Sequence, residues 1–377
     1  MSFKIKQPIL LEGILKANPI VPSKSTLQIL TNLKLQFSPE KLVITATDLD
    51  HFIRIELEIE GEGEHNITIN SRKLLDIVRE LSSDDITLSI DENVLIIDSG
   101  STYSAKISGA DSRDFPQFPE ITESTIIEVD YDVLKNSIKK SSFAVSTDEA
   151  RACLCGVLWE IENEKNVMVA TDGHRLGYSS YNTSVQVENK IESIISPKSL
   201  LHAVKIFEND ERKLKVEFGD KYIVFSDASV TLCTKLIDGP YPDYDKVIPK
   251  NNPKNCIIDR KSLIEAVKRV SVLSNQKTHL LKFSFREGQL EIAVSNRDIG
   301  GEARQIVDVD YSNEEHIIGY NGVYLSEILG IINTNRIRIE MNTQISACLI
   351  YPVIDDGEEA ESSDVYLIMP LKILDDI

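Results

Sequence analysis

The residues of this chain that could carry out covalent chemistry fall close together. Asp172 and His174 lie near Ser179, and Cys153 precedes them, so an acid, a base and a nucleophile are available in principle. The sequence has no Gly-rich phosphate loop, HExxH motif or carboxylate cluster to accompany them. Hydrolytic chemistry at this stretch is therefore one hypothesis, and it depends on whether the same positions recur elsewhere in the chain.

They do recur, in a threefold internal repeat. The segment LKLQFSPEKLVITATD ends at Asp48, VLWEIENEKNVMVATD ends at Asp172 and LKFSFREGQLEIAVSN ends at Asn296, with an offset of 124 residues both times. Each copy alternates apolar and polar residues on both sides of a turn-forming patch, which predicts a β-hairpin. Because an amide replaces the carboxylate in the third copy, the shared position favours a turn-forming role over acid catalysis.

Predicted helices stand before and after each hairpin. Those that follow begin near Ser71, Ser196 and Asn321, which are residues able to cap a helix. Apolar residues recur at helical spacing, as in Leu74, Leu75 and Val78, or in Leu200, Leu201 and Val204. The order helix, strands, helix, strands predicts an α+β fold of three similar domains, each with two helices packed on antiparallel sheets.

Proline-aromatic corners close the first two domains, at residues 115–118 (FPQF) and 241–244 (YPDY). Proline cannot donate to a sheet ladder, so a strand is expected to stop there. These corners and the repeat predict domains at residues 1–124, 125–252 and 253–377.

The distribution of charge is more informative than its sum. The net charge is −19, but the acidic residues gather in predicted loops, whereas lysine and arginine favour predicted helices. Lys198, His202 and Lys205 form one stripe of the helix that follows Ser196. Similar stripes are formed by Arg72, Lys73 and Arg79, by Lys135, Lys139 and Lys140, and by Lys261, Lys268 and Arg269.

Basic side chains commonly coat the solvent side of a helix, which is the simpler explanation for any one stripe. Their recurrence in an acidic protein favours sequence-independent, salt-sensitive contact with a phosphate backbone. No helix-turn-helix, zinc-finger or aromatic RNA-binding motif is present, so direct reading of bases is not expected. A single-strand binder would need interleaved aromatic residues, which are only 6% of the chain, and a scaffold that never meets DNA would leave the basic stripes unexplained.

The five cysteines are an odd number and scattered, which argues against a disulfide framework and fits a reducing cytoplasm. Cys153 and Cys155 are expected to be buried strand residues, because further zinc ligands at suitable spacing are missing. The sequence contains no signal-peptide pattern and no apolar run of about 20 residues that could span a bilayer. We therefore expect a cytoplasmic protein with no metal, cofactor or membrane partner.

Four motifs resemble the bacterial sliding clamp family, the beta subunits of DNA polymerase III. They are VATDGHRLGY at 169–178, DGPYPDYDKVIPK at 238–250, LSNQK at 273–277 and VYLIMPLKI at 365–373, and the likeness extends over nearly the full length. The resemblance implies a head-to-tail homodimer, a ring of six domains whose helices surround double-stranded DNA without sequence preference. It also implies a non-catalytic processivity factor that binds the polymerase alpha subunit, the clamp loader, other polymerases and repair proteins through linear peptides.

The resemblance further implies three sets of site residues. An apolar peptide-binding groove would be lined by Leu154, Thr171, Gly173, His174, Arg175, Leu176, Pro242, Val247, Ser346, Leu367, Met369, Pro370 and Leu371. DNA would be contacted by Lys24, Arg72, Lys73, Lys135, Lys139, Arg151, Lys198, Lys205, Lys261 and Lys268. The two protomers of the dimer would contact each other through Val272 and Leu273.

The chain departs from the family at Ala152 and Cys153, where several members carry aromatic residues, and in its last residues, Leu374 to Ile377.

Overall fold

The computed structural model describes residues 1–82, 84–162, 164–182, 187, 189–208, 213–297, 299–354 and 363–373. The acidic run at 355–361 and the C-terminal residues 374–377, which the sequence singles out, lie outside the described residues. The chain divides into two compact units: unit 1 comprises Met1–Tyr131 and Lys198–Leu236, and unit 2 comprises Asp132–Pro197 and Ile237–Ile377. The middle repeat thus contributes to both units.

The helices alternate with groups of strands as predicted, but each repeat begins with a strand that the predicted order lacked, at Ser2–Lys6, Ser124–Asp130 and Lys254–Asp259. Over the described residues the α-helices are α1 (Gln7–Ala17), α2 (Ser71–Arg79), α3 (Tyr131–Ser141), α4 (Pro197–Ile206), α5 (Arg260–Ser271) and α6 (Gly322–Ile331). Short 3-10 segments occur at Asn18–Ile20, Gln28–Thr31, Ser112–Asp114, Ser142–Ala144, Glu149–Cys155 and Tyr244–Lys246.

The strands fall into three groups that match the three repeats. The first group is β1 (Ser2–Lys6), β2 (Asn32–Phe37), β3 (Lys41–Thr47), β4 (His51–Glu58), β5 (Glu60–Gly61), β6 (His65–Asn70), β7 (Asp85–Asp91), β8 (Val94–Ser99) and β9 (Tyr103–Ser108). The second is β10 (Ser124–Asp130), β11 (Val157–Glu162), β12 (Lys165–Thr171), β13 (Arg175–Asn182), β14 (Ile191–Ile195), β15 (Lys213–Gly219), β16 (Tyr222–Ser226) and β17 (Val230–Lys235). The third is β18 (Lys254–Asp259), β19 (Leu280–Arg286), β20 (Gln289–Asn296), β21 (Gly301–Asp308), β22 (His316–Asn321), β23 (Arg336–Met341), β24 (Cys348–Val353) and β25 (Ser363–Ile368).

Each unit contains one long antiparallel sheet built from two repeats. In unit 1 its order is β10-β15-β16-β17-β4-β3-β2-β6, and in unit 2 it is β14-β11-β12-β13-β25-β24-β23-β18. The repeats join where β17 pairs with β4 and where β25 pairs with β13. The remaining strands form a sheet in the order β5-β1-β7-β8-β9 in unit 1 and one in the order β21-β20-β19-β22 in unit 2.

The three predicted hairpins are confirmed as β2–β3, β11–β12 and β19–β20. The predicted cap at Asn321 is also confirmed, since its side chain accepts hydrogen bonds from two backbone N–H groups of α6. At α2 the prediction was one residue off. Asn70, rather than Ser71, caps that helix, and its side chain accepts from the Lys73 N–H.

Helix faces bury apolar side chains against the sheets, as their spacing predicts. On α5, Leu263, Val267 and Val270 are buried together with strand residues such as Phe283. Burial of each such side chain stabilises the fold by roughly 1.5–3 kcal/mol. The predicted apolar stripe of α4 was partly wrong, because Leu201 is 59% exposed.

Candidate functional site

The turn between β12 and β13 is organised by Asp172. Its Oδ1 accepts hydrogen bonds from the backbone N–H groups of His174, at 2.8 Å, and Arg175, at 3.0 Å. The hydroxyl of Thr171 donates to the Arg175 carbonyl at 2.7 Å and accepts from the Gly173 N–H at 3.1 Å. Gly173 has a φ of +90°, a conformation that glycine adopts without a steric penalty. We call residues 171–175 the corner of unit 2.

The equivalent residue of unit 1 performs the same task. Asp48 Oδ1 accepts from the N–H groups of Asp50, at 3.2 Å, and His51, at 2.8 Å. Burial alone would raise the pKa of the Asp48 carboxyl, but hydrogen bonds from His51 and Lys198 outweigh it and hold that pKa well below its usual range. Both aspartates are thus turn-forming residues, as the repeat predicts.

The candidate acid, base and nucleophile do not converge. Ser179 is fully buried, and its hydroxyl donates to the Asp364 carboxylate at 2.8 Å. His174 is exposed on the corner, where its ring stacks on Tyr324 with the centroids 6.4 Å apart. Cys153 is half-buried in the 3-10 segment Glu149–Cys155. Among the described residues there is also no group of three His, Cys, Asp or Glu side chains that could hold a metal ion.

The expectation that Cys153 and Cys155 are buried strand residues was wrong. Both are half-buried and lie in the same 3-10 segment, which contains a kink at Arg151. The Cys155 thiol donates to the Asp148 carbonyl at 3.4 Å, and burial raises the pKa of that thiol. The sequence pattern alone could not distinguish two alternating strand positions from one tight helical turn.

An apolar floor lies where β13 pairs with β25. Leu176 stands opposite Leu367 in that ladder, and both are buried. The other buried members of this cluster are Leu158, Val167, Val169, Ile194, Ala347 and Leu349. Partly buried side chains packed against it include Cys153, Tyr178, Tyr241, Tyr244 and Ile248. We call the buried members of this cluster the groove floor.

The implied groove residues outside the floor are mostly chain neighbours of residues that belong to it or pack against it. Leu154 follows Cys153, Pro242 follows Tyr241, Val247 precedes Ile248 and Ser346 precedes Ala347. Of the groove residues, the corner supplies Thr171, Gly173, His174 and Arg175, and the segment after β25 supplies Met369, Pro370 and Leu371. The structure therefore brings most of the implied set to one part of unit 2.

Exposed apolar side chains border the groove floor. Val247 is 55% exposed and Met369 is 37% exposed, and Ile345, next to Ser346, is 84% exposed. The Met369 N–H donates to the His174 carbonyl at 2.8 Å, which ties the segment after β25 to the corner. Leu371 differs, because its N–H donates to the carbonyl of Gly319 in β22. Exposed apolar side chains next to a buried apolar cluster favour an interaction site.

The sequence prediction missed several side chains that hold this surface together. The Tyr241 hydroxyl accepts from the Thr171 N–H at 3.1 Å, and the Tyr244 hydroxyl donates to the buried carboxylate of Glu160. Burial, reinforced by Glu160, raises the pKa of the Tyr244 phenol. The YPDY motif at 241–244 could have pointed to both tyrosines, whereas nothing in the sequence pointed to Tyr324 or Glu327 on α6.

The implied DNA-contacting residues are mostly solvent-exposed. Exposed positions are Arg72 and Lys73 on α2, Lys139 on α3, Lys198 and Lys205 on α4, Lys261 and Lys268 on α5, and Lys24 and Arg151 in loops or short turns. Lys135 on α3 is half-buried. Lys24 also lines a cavity of about 690 Å³ together with Asn70 and Asp111.

Lys198 and Arg151 already have carboxylate partners. The Lys198 ammonium lies 2.8 Å from Asp48, and Arg151 lies 3.1 Å from Asp148. Their charge is therefore partly neutralised before any ligand arrives.

The prediction that His202 adds to the basic stripe of α4 was wrong. Its ring packs edge-on against His51, with the centroids 5.2 Å apart. Burial, helped by the neighbouring His51 and Lys198, lowers the pKa of His202 to about 4. The side chain is therefore neutral at pH 7.

The implied dimer residues differ from each other. Val272 is 75% exposed at the end of α5, whereas Leu273 is half-buried and packs against the core of the same unit. Ile299, 61% exposed, and Ile306, 49% exposed on the edge strand β21, add apolar surface in this unit. Leu273 is therefore partly a core residue of unit 2, whereas Val272 is a surface residue.

The repeated α+β fold and the basic side chains exposed on helices α2 to α5 point to a DNA clamp as the class of protein, and comparison with known proteins supports this. Family models of the DNA polymerase III beta subunit match residues 1–119 with its N-terminal domain, 128–243 with its central domain and 245–371 with its C-terminal domain. The chain belongs to this family, the bacterial beta sliding clamps.

Individual relatives cover the chain almost completely. The beta sliding clamp of Pseudomonas putida KT2440 is 31% identical over 377 residues, which are 99% of this chain and 100% of that protein. The crystal structure of the Pseudomonas aeruginosa DNA polymerase III subunit beta matches at 28% identity with a TM-score of 0.92, covering 99% of this chain and 100% of that one. The Bacillus subtilis sliding clamp structure matches at 26% identity with a TM-score of 0.91 and the same coverage.

Membership of the family confirms the predicted α+β fold of repeated clamp domains, a fold known to form rings as a dimer. The chain is a DNA sliding clamp, a processivity factor that is not itself catalytic. None of the described helices is both long enough and apolar enough to cross a membrane.

Proposed function

We propose that the groove floor and its exposed border form the site through which this clamp holds its partners on DNA. The observation that carries the proposal is the pairing of Leu176 with Leu367 in the groove floor, together with the exposed apolar side chains of Val247, next to Ile248, and Met369, next to β25. The partners would be the DNA polymerase III alpha subunit, the clamp loader, other polymerases and repair proteins, each presenting a short linear peptide. The peptide-binding residues are the set from Leu154 to Leu371 given above.

The chemistry of the site suits an extended peptide with apolar side chains. Exposed and partly buried side chains above the leucine core, such as Val247 and Tyr178, offer dispersion contacts, and the flexible thioether of Met369 can adapt to ligands of different shape. Backbone groups at the corner and a few polar side chains, such as those of His174 and Ser346, can orient the peptide backbone. Different partners would therefore compete for one groove.

Residue differences between the repeats support the assignment of the groove to unit 2 rather than unit 1. The position of Leu158 in the groove floor corresponds to Lys34 in unit 1, at the offset of 124. In unit 1, Phe118 packs edge-on against Phe52, and the guanidinium of Arg54 lies 4.5 Å above the Phe118 ring. The equivalent positions of unit 1 therefore carry a lysine and an arginine–aromatic contact, and we expect one groove per protomer.

The exposed lysines and arginines of α2 to α5, with Lys24 and Arg151, would face the DNA backbone. Such contacts depend on charge rather than on base sequence, and they permit sliding. Val272 and Leu273 would lie at the contact between the two protomers of the ring. The predicted domain boundaries, residues 1–124, 125–252 and 253–377, and a cytoplasmic location belong to the same proposal. The free cysteines are consistent with that location.

Retention on DNA tests the central proposal. The protein is loaded with a clamp loader onto a nicked circular plasmid, the plasmid is linearised, and the bound fraction before and after cutting is compared by gel filtration at high salt. Retention on the circle that vanishes on cutting is expected of a topological ring. Equal binding to both forms, or none to either with a competent loader, would refute it.

The groove is tested separately by surface plasmon resonance with the purified alpha subunit. We expect Met369→Ala and Val247→Asp to weaken binding without changing retention on circular DNA, because both side chains are exposed beside the groove floor. Ile126→Asp is a matched control, since Ile126 is 51% exposed on β10 of unit 1. Binding of the alpha subunit that is insensitive to both groove variants would contradict the assignment.

A further inference from the structure

The guanidinium of Arg175 is held from several directions within unit 2. Its Nε lies 3.2 Å from the Asp172 carboxylate, and its Nη1 forms an ion pair with Glu327 of α6. The guanidinium carbon lies 4.4 Å from the ring centroid of Tyr324 and 5.5 Å from that of Phe143. The side chain is only 11% exposed. Its charge is thus balanced within unit 2 by two carboxylates.

Arg175 is also part of the corner that borders the groove. Its N–H group is bonded to Asp172, and its carbonyl accepts from the Thr171 hydroxyl. The preceding residue, His174, accepts a hydrogen bond from the Met369 N–H. A shift of Arg175 would therefore also move His174 and Met369, which are both proposed to contact the peptide.

We propose that Glu327 is a positioning residue of the peptide groove: from α6 it holds Arg175 and, through Arg175, keeps the corner in the conformation that receives the peptide. This inference rests on the proposed function of the groove. No implied groove residue lies on α6, so Glu327 would act on binding without belonging to the set assigned by resemblance.

Unit 1 supports the inference independently, because the same corner is anchored in the same way. His51 occupies the position equivalent to Arg175, at an offset of 124. Its Nε2 lies 3.0 Å from the Ser199 hydroxyl, and its ring packs against His202, both on α4. Ser199 and His202 precede Tyr324 and Glu327 by 125 residues. In both units, therefore, a side chain of the turn is anchored to a helix of the next repeat. Of the two units, unit 2, to which the groove is assigned, makes this contact through an arginine–glutamate ion pair.

The expected effect is on binding rather than on folding. The Glu327 side chain is 45% exposed, so the ion pair contributes little to global stability. Without Glu327, the guanidinium retains one of its two carboxylate partners, and the corner would spend part of its time in other conformations. The apparent affinity then falls by the fraction of molecules that remain competent to bind.

Surface plasmon resonance with the alpha subunit of the polymerase tests the proposal. For Glu327→Gln we expect affinity weaker by at least about threefold, within the range typical of residues that act on a site indirectly. The loss should appear mainly as slower association, because fewer molecules are competent at any moment. Loss of a direct contact would instead speed dissociation. Glu327→Asp should restore most of the association rate.

A matched control is Glu265→Gln on α5, which removes an exposed helix carboxylate that pairs with Arg269 at 2.9 Å. It should leave alpha-subunit binding unchanged. Glu327→Gln should also keep the wild-type Tm and the wild-type retention on circular DNA. Wild-type affinity in Glu327→Gln, or a loss expressed only as faster dissociation, would overturn the positioning role. If the wild-type protein itself failed to bind the alpha subunit, the proposed groove would fail and the inference with it.

Discussion

Replacement of Asp172 separates the turn-forming role of this residue from any catalytic role. Its carboxylate accepts from two backbone N–H groups and pairs with Arg175, and its side chain is only 13% exposed. A hydrogen bond to a charged acceptor contributes about 1.5–3 kcal/mol, and partial solvent access lowers this. We therefore expect Asp172→Ala to destabilise the corner by about 3 kcal/mol. Asp172→Asn keeps one acceptor oxygen and should cost about 1 kcal/mol.

Hydrogen exchange measured by mass spectrometry resolves this local effect, because exchange reports the free energy of local opening. The fragment that spans residues 171–176 should exchange about a hundredfold faster in Asp172→Ala and about fivefold faster in Asp172→Asn. Binding of the alpha subunit should weaken in the same order. Asp48→Ala, the matched change in unit 1, should accelerate exchange around residues 47–52 and leave alpha-subunit binding unchanged.

Two results would refute the reasoning. Unchanged exchange in Asp172→Ala would mean that the carboxylate does not hold the corner. Equal damage in Asp172→Ala and Asp172→Asn would mean that the charge, rather than the acceptor oxygen, is what the corner needs. The second result is not expected, because the equivalent position of the third repeat carries an uncharged amide, Asn296.

Further predictions concern stability, pH and salt. Tyr244→Phe should lower the free energy of unfolding in urea by about 1–3 kcal/mol, because it leaves an oxygen of the buried Glu160 carboxylate without its donor. The pKa of His202 is lowered to about 4 in the folded state, so the unfolded state binds the proton first. Stability should therefore fall by about 2–3 kcal/mol as pH drops from about 6.5 to 4, and His202→Gln should flatten that part of the urea-midpoint profile. Lys205→Gln should reduce the slope of log affinity for DNA against log salt by about 0.9, and Lys198→Gln by less, since Lys198 already has an ion-pair partner. Equal slopes for the two lysine variants in a salt titration by fluorescence anisotropy would contradict the last prediction.

Much of the architecture could be predicted from local patterns. Alternating apolar residues on both sides of a turn predicted the three hairpins, and helical spacing predicted which segments form helices. The repeat also predicted the turn-forming role of Asp48 and Asp172, which the backbone hydrogen bonds agree with. These features depend on residues close together in the chain, and so they are visible in the sequence.

Local patterns were less reliable in predicting whether an individual side chain of a helix is buried or exposed. The apolar spacing of α4 placed Leu201 in the core and His202 in a basic stripe, whereas Leu201 is exposed and His202 packs on His51. The buried face of α4 includes Ser199, which hydrogen-bonds with His51 and Thr234. A polar residue on a buried helix face is recognisable only when its distant partners are known.

The sequence by itself determined the repeat and most of the order of elements, because these depend on residue types at fixed spacing. Its motifs also identified the family, and the candidate groove residues are those that the resemblance implies. Only the tertiary structure decided how β13 and β25, almost 200 residues apart in the chain, pair to place Leu176 against Leu367. It likewise brought Glu327 of α6 to Arg175. Such contacts join segments with no common periodicity, so their partners are chosen by sheet register and packing rather than by any pattern along the chain.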